Sequence, residues 1–211
     1  MRLAGSREQI DPFYPIVPSA DWVARLVPLG VRLIQLRVKD GTEAEIRAEI
    51  RRARGDCAAQ DCVLVVNDHW RLAIEEGCGF VHLGQEDLDT ADVPAIRAAG
   101  LSLGLSTHDH EELARALAFA PDYVALGPVY PTTLKAMRFA PQGLERVTEW
   151  KHRIGPIPLV AIGGFTLERT EAAFAAGADI VSVVSDIVGA DDPEARTREW
   201  LAATRADAAC G

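Results

Sequence analysis

The sequence predicts one α/β domain spanning residues 1–211, folded as a (β/α)8 TIM barrel. Eight short apolar segments alternate with amphipathic segments along the chain, and turn residues separate them. Strict alternation requires parallel strands joined by crossover helices, and eight such units fit a chain of this length at the small end of the range for closed barrels. An open doubly wound sheet is the competing architecture, but no GxGxxG sequence follows the first apolar segment.

The strands are predicted from short apolar runs bounded by turn residues. Strands that are buried on both faces, as in a parallel barrel, are apolar along most of their length rather than only at alternate positions. We therefore place the eight strands at residues 14–17, 32–37, 63–67, 80–83, 101–106, 123–130, 159–163 and 180–185.

The helices are predicted from apolar residues at helical spacing between the strands. Ser19 is expected to cap the first helix through its side chain, and Gly77, Gly100 and Gly177 occupy positions typical of helix C-caps. The segment 42–59 carries acidic and basic residues at the spacing of a solvated helix face. The helices are placed at residues 19–29, 42–59, 69–76, 93–99, 110–119, 142–152, 167–176 and 193–206.

The charge balance restricts the classes of partner. The chain has 31 acidic and 22 basic residues and a formal net charge of −9 at pH 7, so nucleic acid and anionic membrane surfaces would be repelled on average. No segment has the apolar length of a signal peptide or a membrane span. We therefore expect a cytoplasmic protein with no nucleic-acid partner and no membrane partner. The sequence is compatible with a homo-oligomer and does not fix its size.

Candidate functional residues are the polar side chains at the C-terminal ends of the predicted strands, which converge on one face of a barrel. After the second strand, Gln35, Arg37 and Lys39 alternate with apolar residues and therefore lie on one side of an extended chain. Two cations and an amide on one side predict a phosphate-binding position. The alternative is that the two basic side chains are simply solvated.

Asp68 and Asp87 follow the third and fourth strands, which are neighbours in a barrel. Two carboxylates close together repel each other unless a cation lies between them. Mg²⁺ commonly takes one or two protein carboxylates and completes its coordination with water and substrate phosphate. The pair therefore predicts a magnesium site, whereas either residue taken alone is equally well explained as a cap of the following helix.

The remaining strand ends carry hydroxyls and glycines. Ser106 ends the fifth strand, where its hydroxyl either binds a ligand or caps the next helix. The segment 127–135 after the sixth strand combines prolines, hydroxyls and Lys135, and it predicts an anion site. Gly163 and Gly164 end the seventh strand, where barrels frequently bind phosphate; a tight turn is the alternative.

Six separated motifs, together with Lys135, resemble the thiamine phosphate synthase family, and they occur in that family's order over nearly the whole chain. Each of them follows a strand that was predicted independently above. The motifs read QLRVKD at 35–40, VNDHWRLA at 66–73, VHLGQEDL at 81–88, LSTH at 105–108, LGPVYPT at 126–132 with Lys135, and AIGG at 161–164. The resemblance implies a transferase of thiamine biosynthesis built on a TIM barrel.

The resemblance also implies the reaction and its residues. A pyrimidine diphosphate and a thiazole phosphate are joined into thiamine phosphate, diphosphate is released, and Mg²⁺ is the cofactor. The contacts implied for the pyrimidine diphosphate are Gln35, Arg37, Lys39, Asn67, Ser106 and Lys135, of which Arg37, Lys39, Ser106 and Lys135 form the catalytic set. The implied Mg²⁺ ligands are Asp68 and Asp87, and the implied contacts of the thiazole phosphate are Thr132, Gly164, Val184 and Ser185.

Two positions depart from the family's pattern. The family usually has Thr-x-Thr-Lys in the loop after the sixth strand, whereas Leu134 stands here in place of the second hydroxyl. Asp186 occurs where a small apolar residue is common. Its charge would repel the thiazole phosphate unless the side chain points away.

Two other functions stay open on sequence alone. A thiazole tautomerase has a related barrel and binds the thiazole phosphate without joining it to a pyrimidine, but the complete QLRVK segment and both aspartates argue against it. The second alternative is a noncatalytic protein that binds thiamine phosphate. Leu134 and Asp186 are the two features that favour it.

Overall fold

The computed structural model describes residues 11–132 and 139–208, with side chains described as far as residue 205. Eight parallel strands form a closed barrel in chain order, and the eighth strand pairs with the first. Helices follow the strands and surround them. The predicted (β/α)8 barrel is therefore confirmed.

Four strands end earlier than the sequence predicted. The sixth strand ends at Leu126, since Pro128 has no amide hydrogen to donate to a neighbouring strand. The eighth ends at Val183, because Val184 leaves the extended conformation at ψ −77° and a short helix begins at Ser185. The strands are β1 Phe13–Val17, β2 Leu33–Leu36, β3 Val63–Asn67, β4 Phe80–Leu83, β5 Ser102–Thr107, β6 Tyr123–Leu126, β7 Leu159–Ile162 and β8 Ile180–Val183.

The described part of the chain contains one α-helix more than the sequence predicted, Ser185–Val188. Short 3-10 turns at Val27–Leu29 and Leu167–Arg169 interrupt two segments that were expected to be continuous helices, and another covers Asp87–Asp89. The helices are α1 Ala20–Leu26, α2 Glu43–Ala59, α3 Trp70–Glu75, α4 Val93–Ala98, α5 His110–Ala118, α6 Gly143–Ile154, α7 Thr170–Ala175, α8 Ser185–Val188 and α9 Pro193–Ala208. None of these helices is long and apolar enough to cross a membrane.

Local hydrogen bonds explain where the first two helices begin. At the start of α2, the Thr42 hydroxyl accepts from the Glu45 amide at 3.3 Å, and the Glu45 carboxylate accepts from the Thr42 amide at 2.7 Å. This reciprocal arrangement satisfies two amides that would otherwise lack partners. The cap expected from Ser19 is wrong, because its side chain makes no capping bond. The Ala20 amide donates instead to the Glu49 carboxylate at 2.6 Å.

Side chains fill the barrel interior, so the barrel is a packed core. Tyr14, Phe80 and Tyr123 are all buried there, and we call these three rings the aromatic floor. The centroid of the Tyr123 ring lies 5.4 Å from that of Phe80 and 6.0 Å from that of Tyr14. Gly104 on β5 makes room for this packing, because a Cβ there would lie 2.1 Å from the Tyr123 ring.

The helices pack on the outside of the barrel through a second and larger apolar cluster. Trp150 of α6 and Trp200 of α9 are fully buried in it. Trp200 stacks on Phe13 of β1 with ring centroids 5.9 Å apart. The last helix is thereby attached to the first strand, at the place where the barrel closes.

Candidate active site

Polar side chains of β2 to β5 occupy one half of the barrel mouth, where the C-terminal ends of the strands lie. Gln35 is 2% exposed, Asn67 5% and His82 8%, so these side chains are inside the barrel rather than on its rim. The strand register places Asn67 directly beside His82. We call this region the polar half, and its members are Gln35, Arg37, Asn67, Asp68, His82, Asp87 and Ser106.

A chain of hydrogen bonds runs from β2 to β5 through the polar half and the aromatic floor. Gln35 Nε2 donates to the Tyr14 hydroxyl at 2.8 Å. The Tyr14 hydroxyl lies 3.0 Å from the Tyr123 hydroxyl, which lies 2.7 Å from His82 Nδ1. His82 Nε2 lies 2.8 Å from Ser106 Oγ, where the chain ends.

This chain has a direction because the imidazole of His82 is neutral. Burial lowers the pKa of His82 to about 4, so only one ring nitrogen carries a hydrogen near neutral pH. If Nδ1 carried it, only one of the two tyrosine hydroxyls could donate to the other, and the remaining hydroxyl hydrogen would lack an acceptor among the described side chains. With the hydrogen on Nε2, each hydroxyl donates once. Ser106 then accepts from His82 and keeps its own hydrogen for a ligand.

Asp68 and Asp87 lie in contact, with their carboxyl groups within hydrogen-bonding reach of each other. Burial and then the charge of Asp87 raise the pKa of Asp68 to about 6, although the charge of Arg37 opposes this shift. Neither aspartate caps the helix that follows it. The N-cap position of α3 is His69 and that of the next 3-10 turn is Glu86, and neither turn has a side-chain cap. The capping alternative drawn from the sequence is therefore wrong.

The aspartate pair fits a divalent cation. Two carboxylates in contact repel each other unless a proton or a cation lies between them, and carboxylate oxygens are ligands that Mg²⁺ prefers. Within the residues that the structure describes, no group of three or more His, Cys, Asp or Glu side chains is placed to hold a metal. A cation at Asp68 and Asp87 would therefore need water and substrate phosphate to complete its coordination.

The two basic residues after β2 differ in their placement. Arg37 continues the strand pairing, since its amide donates to the Val17 carbonyl at 2.8 Å, and its side chain is half-buried. Its guanidinium charge reaches both Asp68 and His82. Lys39 lies two residues further along and is exposed. The structure thus brings Arg37 to the aspartate pair and leaves Lys39 at the rim.

The other half of the mouth is formed by loops, and we call residues 127–132, 163–164 and 184–185 the backbone half. The loop after β6 lies on the end of β7, because the Tyr130 amide donates to the Gly163 carbonyl at 3.0 Å. Gly164 has a left-handed φ of 68°, and a Cβ there would lie 2.5 Å from the Pro131 carbonyl oxygen. Packing between these two loops therefore requires glycine, whether or not a phosphate also binds.

Asp186 is directed toward the outer helix layer. Its carboxylate accepts from Arg196 Nε at 2.9 Å and Nη2 at 3.2 Å, and from Trp200 Nε1 at 2.7 Å. Both partners belong to α9. The charge that the sequence placed beside Val184 and Ser185 is therefore balanced by Arg196, and the expected repulsion of a phosphate is removed.

The segment 133–138 lies outside the described residues. It contains Lys135, which was predicted to be catalytic, and Leu134, one of the two departures from the family's pattern. Thr132 is the last described residue before it and is half-buried.

Four residues of this region were not predicted from the sequence, namely Tyr14, His82, Gln85 and Tyr123. Three of them form the hydrogen-bond chain, and Gln85 Nε2 donates to the Ser106 carbonyl at 2.7 Å. A polar residue within a buried strand is a weak signal by itself. The register of the closed barrel, which sets the positions that face inward, is what identifies these residues.

Comparisons with known proteins agree with the motifs. The sequence profile of the family described as thiamine monophosphate synthase matches residues 13–187, a span that includes every predicted site residue. A thiamine-phosphate synthase from Rhizobium etli is 65% identical over 93% of this chain and 96% of its own length. A second thiamine-phosphate synthase, from Neisseria meningitidis serogroup B, is 47% identical over 90% of this chain and 93% of its own.

A solved structure gives the same result at the level of the fold. Thiamine phosphate pyrophosphorylase from Pyrococcus furiosus superposes with a TM-score of 0.83 at 25% identity, over 93% of this chain and 96% of that one. Since the profile covers most of the chain and the relatives match along more than nine-tenths of their length, the chain belongs to the thiamine monophosphate synthase family.

Proposed function

We propose that this protein joins a pyrimidine diphosphate to a thiazole phosphate to make thiamine phosphate. One observation carries the proposal beyond the family assignment. A buried and directed hydrogen-bond chain ends at the Ser106 hydroxyl in the same half of the mouth as Arg37 and a pair of contacting aspartates. A donor, a cation and a metal-binding pair are what a diphosphate leaving group requires.

In the proposed reaction, the thiazole ring nitrogen forms a C–N bond with the exocyclic methylene of the pyrimidine. The C–O bond to diphosphate breaks, its electron pair leaves with the diphosphate, and no proton has to be transferred. The protein must therefore stabilise the negative charge that develops on the leaving group, and it needs no nucleophile of its own. The electron-rich aminopyrimidine stabilises a cation at the methylene, which favours a dissociative path.

The catalytic roles in this proposal are electrostatic. The half-buried guanidinium of Arg37 and the hydroxyl hydrogen of Ser106 face developing charge within the polar half. Lys39 adds a positive charge from the rim, and Lys135 joins the set through its position in the family's pattern.

The binding roles divide between the two halves of the mouth. Gln35 and Asn67, both buried in the polar half, are assigned to the pyrimidine diphosphate together with the catalytic set. The contacts assigned to the thiazole phosphate all lie in the backbone half and are Thr132, Gly164, Val184 and Ser185.

We assign Mg²⁺ to Asp68 and Asp87. The proximity of their carboxyl groups supports this assignment, since two acidic side chains held together repel each other unless they share a cation or a proton. When bound, Mg²⁺ supplies Lewis-acid stabilisation of the leaving diphosphate. Without a cation the two carboxylates would repel the diphosphate, so their attraction for this substrate depends on the metal.

The alternatives receive less support from the structure. The pairing of Asp186 with Arg196 removes one of the two features that favoured a noncatalytic thiamine phosphate binder. A thiazole tautomerase would use the backbone half and would leave the aspartate pair and the hydrogen-bond chain of the polar half without a role.

Diphosphate release by the purified protein tests the proposal. The protein is given the pyrimidine diphosphate, the thiazole phosphate and Mg²⁺, and each is omitted in turn. We expect release only when both substrates are present, in step with the appearance of thiamine phosphate. Conversion of the thiazole phosphate alone would indicate the tautomerase, and no turnover by folded protein would indicate the binder.

The remaining expectations concern the whole molecule. We infer one domain over residues 1–211, a cytoplasmic location, and no nucleic-acid or membrane partner, and the net charge of −9 supports the last of these. A homo-oligomer is compatible with this function, and light scattering measures its size.

A further inference from the structure

Arg169, on the 3-10 turn before α7, contacts both of the loops that meet in the backbone half. Its guanidinium donates through Nη1 to the Gly164 carbonyl oxygen. The same guanidinium lies over the Tyr130 ring, with Cζ 4.6 Å from the ring centroid. Arg169 lies outside all the motifs that indicated the family, so the sequence assigned it no role.

These contacts join the two loops that carry proposed ligands of the thiazole phosphate. Gly164 follows β7, and Tyr130 stands two residues before Thr132 in the loop after β6. The Tyr130 ring also meets the Phe165 ring edge-on, with centroids 5.3 Å apart and planes at 88°. A shift of either loop therefore displaces the other, and the spacing between Thr132 and Gly164 depends on this packing.

The hydrogen bond to Gly164 also sets the orientation of a peptide unit. A trans peptide directs its carbonyl oxygen and its amide hydrogen to opposite sides. Because Arg169 engages the Gly164 oxygen, the amide hydrogen of Phe165 in the same peptide faces away from Arg169. A free carbonyl oxygen would repel a phosphate, whereas an amide hydrogen attracts one.

We propose that Arg169 is a positioning residue for the thiazole phosphate, acting by fixing the Gly164 peptide and the loop that carries Thr132. The inference rests on the proposed function, in which the thiazole phosphate is the second substrate. The described contacts of Arg169 belong to the backbone half and to its own turn. Its effect is therefore confined to one of the two substrates.

Steady-state kinetics of Arg169→Met measure this effect, since methionine keeps the unbranched apolar stem and removes the guanidinium. We expect the KM for thiazole phosphate to rise about tenfold, which corresponds to about 1.4 kcal/mol. The KM for pyrimidine diphosphate and kcat should both stay within about twofold of the wild-type values, well below the tenfold change that corresponds to 1.4 kcal/mol. Arg169→Lys should restore part of the affinity, because the ammonium reaches the carbonyl but stacks poorly on Tyr130.

Arg25→Met is the matched control. Arg25 also lies over an aromatic ring, with Cζ 4.4 Å from the Trp22 centroid, and it also bonds an oxygen, that of Glu194. Arg25 has no part in the barrel mouth, since its ion pair with Glu194 joins the two outer helices α1 and α9. Both KM values should therefore match the wild type.

Substitutions of Tyr130 test the same contact if Arg169→Met does not fold. Tyr130→Leu removes the ring beneath the guanidinium, so the KM for thiazole phosphate should rise selectively, while Tyr130→Phe keeps the ring and should raise this KM less than Tyr130→Leu does. An equal rise in both KM values, or no rise in folded protein, overturns the inference. Wild-type protein that releases no diphosphate contradicts the proposed function itself, which is measured first and separately.

Discussion

The two halves of the barrel mouth are constructed differently. The polar half consists of side chains that belong to the strands and reach into the barrel, linked to one another from Gln35 to Ser106. The backbone half consists of loops whose positions are set from outside the barrel, by Arg169 on one turn and by Arg196 on α9. Substitutions in the polar half should therefore alter the chemistry directly, and those around the backbone half should act indirectly on one substrate.

The largest expected effect comes from removing a carboxylate of the polar half. Asp87→Asn takes one ligand from the proposed metal site, so kcat/KM should fall about 100-fold or more, which corresponds to about 2.7 kcal/mol. The Mg²⁺ concentration for half-maximal activity should rise, as measured in a metal titration. Asp92→Asn is the control, because Asp92 caps α4 by accepting from the Ala95 amide and asparagine caps equally well. Full activity of Asp87→Asn at low Mg²⁺ would remove the metal assignment.

The pH dependence of stability gives the second effect. The pKa of Asp68 is raised to about 6 from the value of 3.8 that is usual for an aspartate, so the folded protein binds more protons than the unfolded chain between these values. The contribution of this extra proton to the free energy of unfolding is fully present below about pH 4 and is lost as pH rises through about 6. The loss is on the order of 2 kcal/mol after allowance for partial exposure of the carboxyl group.

Unfolding of metal-free protein at several pH values measures this loss. Asp68→Asn should be less sensitive to pH between about 4 and 6, since it has no carboxyl to titrate there. Added Mg²⁺ should raise the free energy of unfolding of the wild-type protein at pH 7, and it should raise that of Asp68→Asn less. Parallel pH curves for the two proteins would show that the aspartates do not repel each other.

Interrupting the hydrogen-bond chain should have a smaller effect. Tyr123→Phe deprives His82 Nδ1 of its donor, so the imidazole can change tautomer and accept from Ser106 instead of donating to it. We expect kcat/KM for the pyrimidine diphosphate to fall about tenfold, or about 1.4 kcal/mol. In Tyr14→Phe, kcat/KM should fall less, because Tyr14 is one hydrogen bond further from His82 than Tyr123 is. A larger loss in Tyr14→Phe would contradict the assigned direction.

The smallest effect is expected from removing the hydrogen bonds that join Asp186 of α8 to α9. Asp186→Ala leaves Arg196 and the indole of Trp200 without this partner, which should lower the free energy of unfolding by about 1 kcal/mol. The KM for thiazole phosphate should rise by no more than about threefold, which is smaller than the tenfold change that corresponds to 1.4 kcal/mol. Glu199→Gln, which removes an exposed partner of Arg196, is the control and should change neither quantity. A decrease in KM on Asp186→Ala would show that the charge does reach the phosphate.

The sequence predicted the polar half better than the backbone half. Alternation along β2 was enough to place Gln35 and Arg37 on one side, and two aspartates after neighbouring strands were enough to predict their contact. Both inferences use only the local period of a strand and the order of strands in a barrel.

The features that could not be predicted depend on contacts between distant parts of the chain. Arg169 acquires its contacts only where the loops after β6 and β7 meet, and Asp186 acquires Arg196 only after α8 packs on α9. His82 and Tyr123 are 41 residues apart in sequence and become partners only in the closed barrel. The end of β6 was missed for a local reason, because an apolar run was followed past a proline that cannot continue the pairing.

The aromatic floor has a consequence for the fate of the reactive cation. Tyr14, Phe80 and Tyr123 are buried in one apolar cluster inside the barrel, and the absence of a side chain at Gly104 lets the Tyr123 ring pack against β5. In the proposed reaction, a cation formed at the pyrimidine methylene would be shielded from water on the side of the floor, which would favour its capture by the thiazole nitrogen or by returning diphosphate. In the proposed reaction, the floor would therefore bear on the partition between coupling and hydrolysis, and Gly104 would do so through the position of Tyr123.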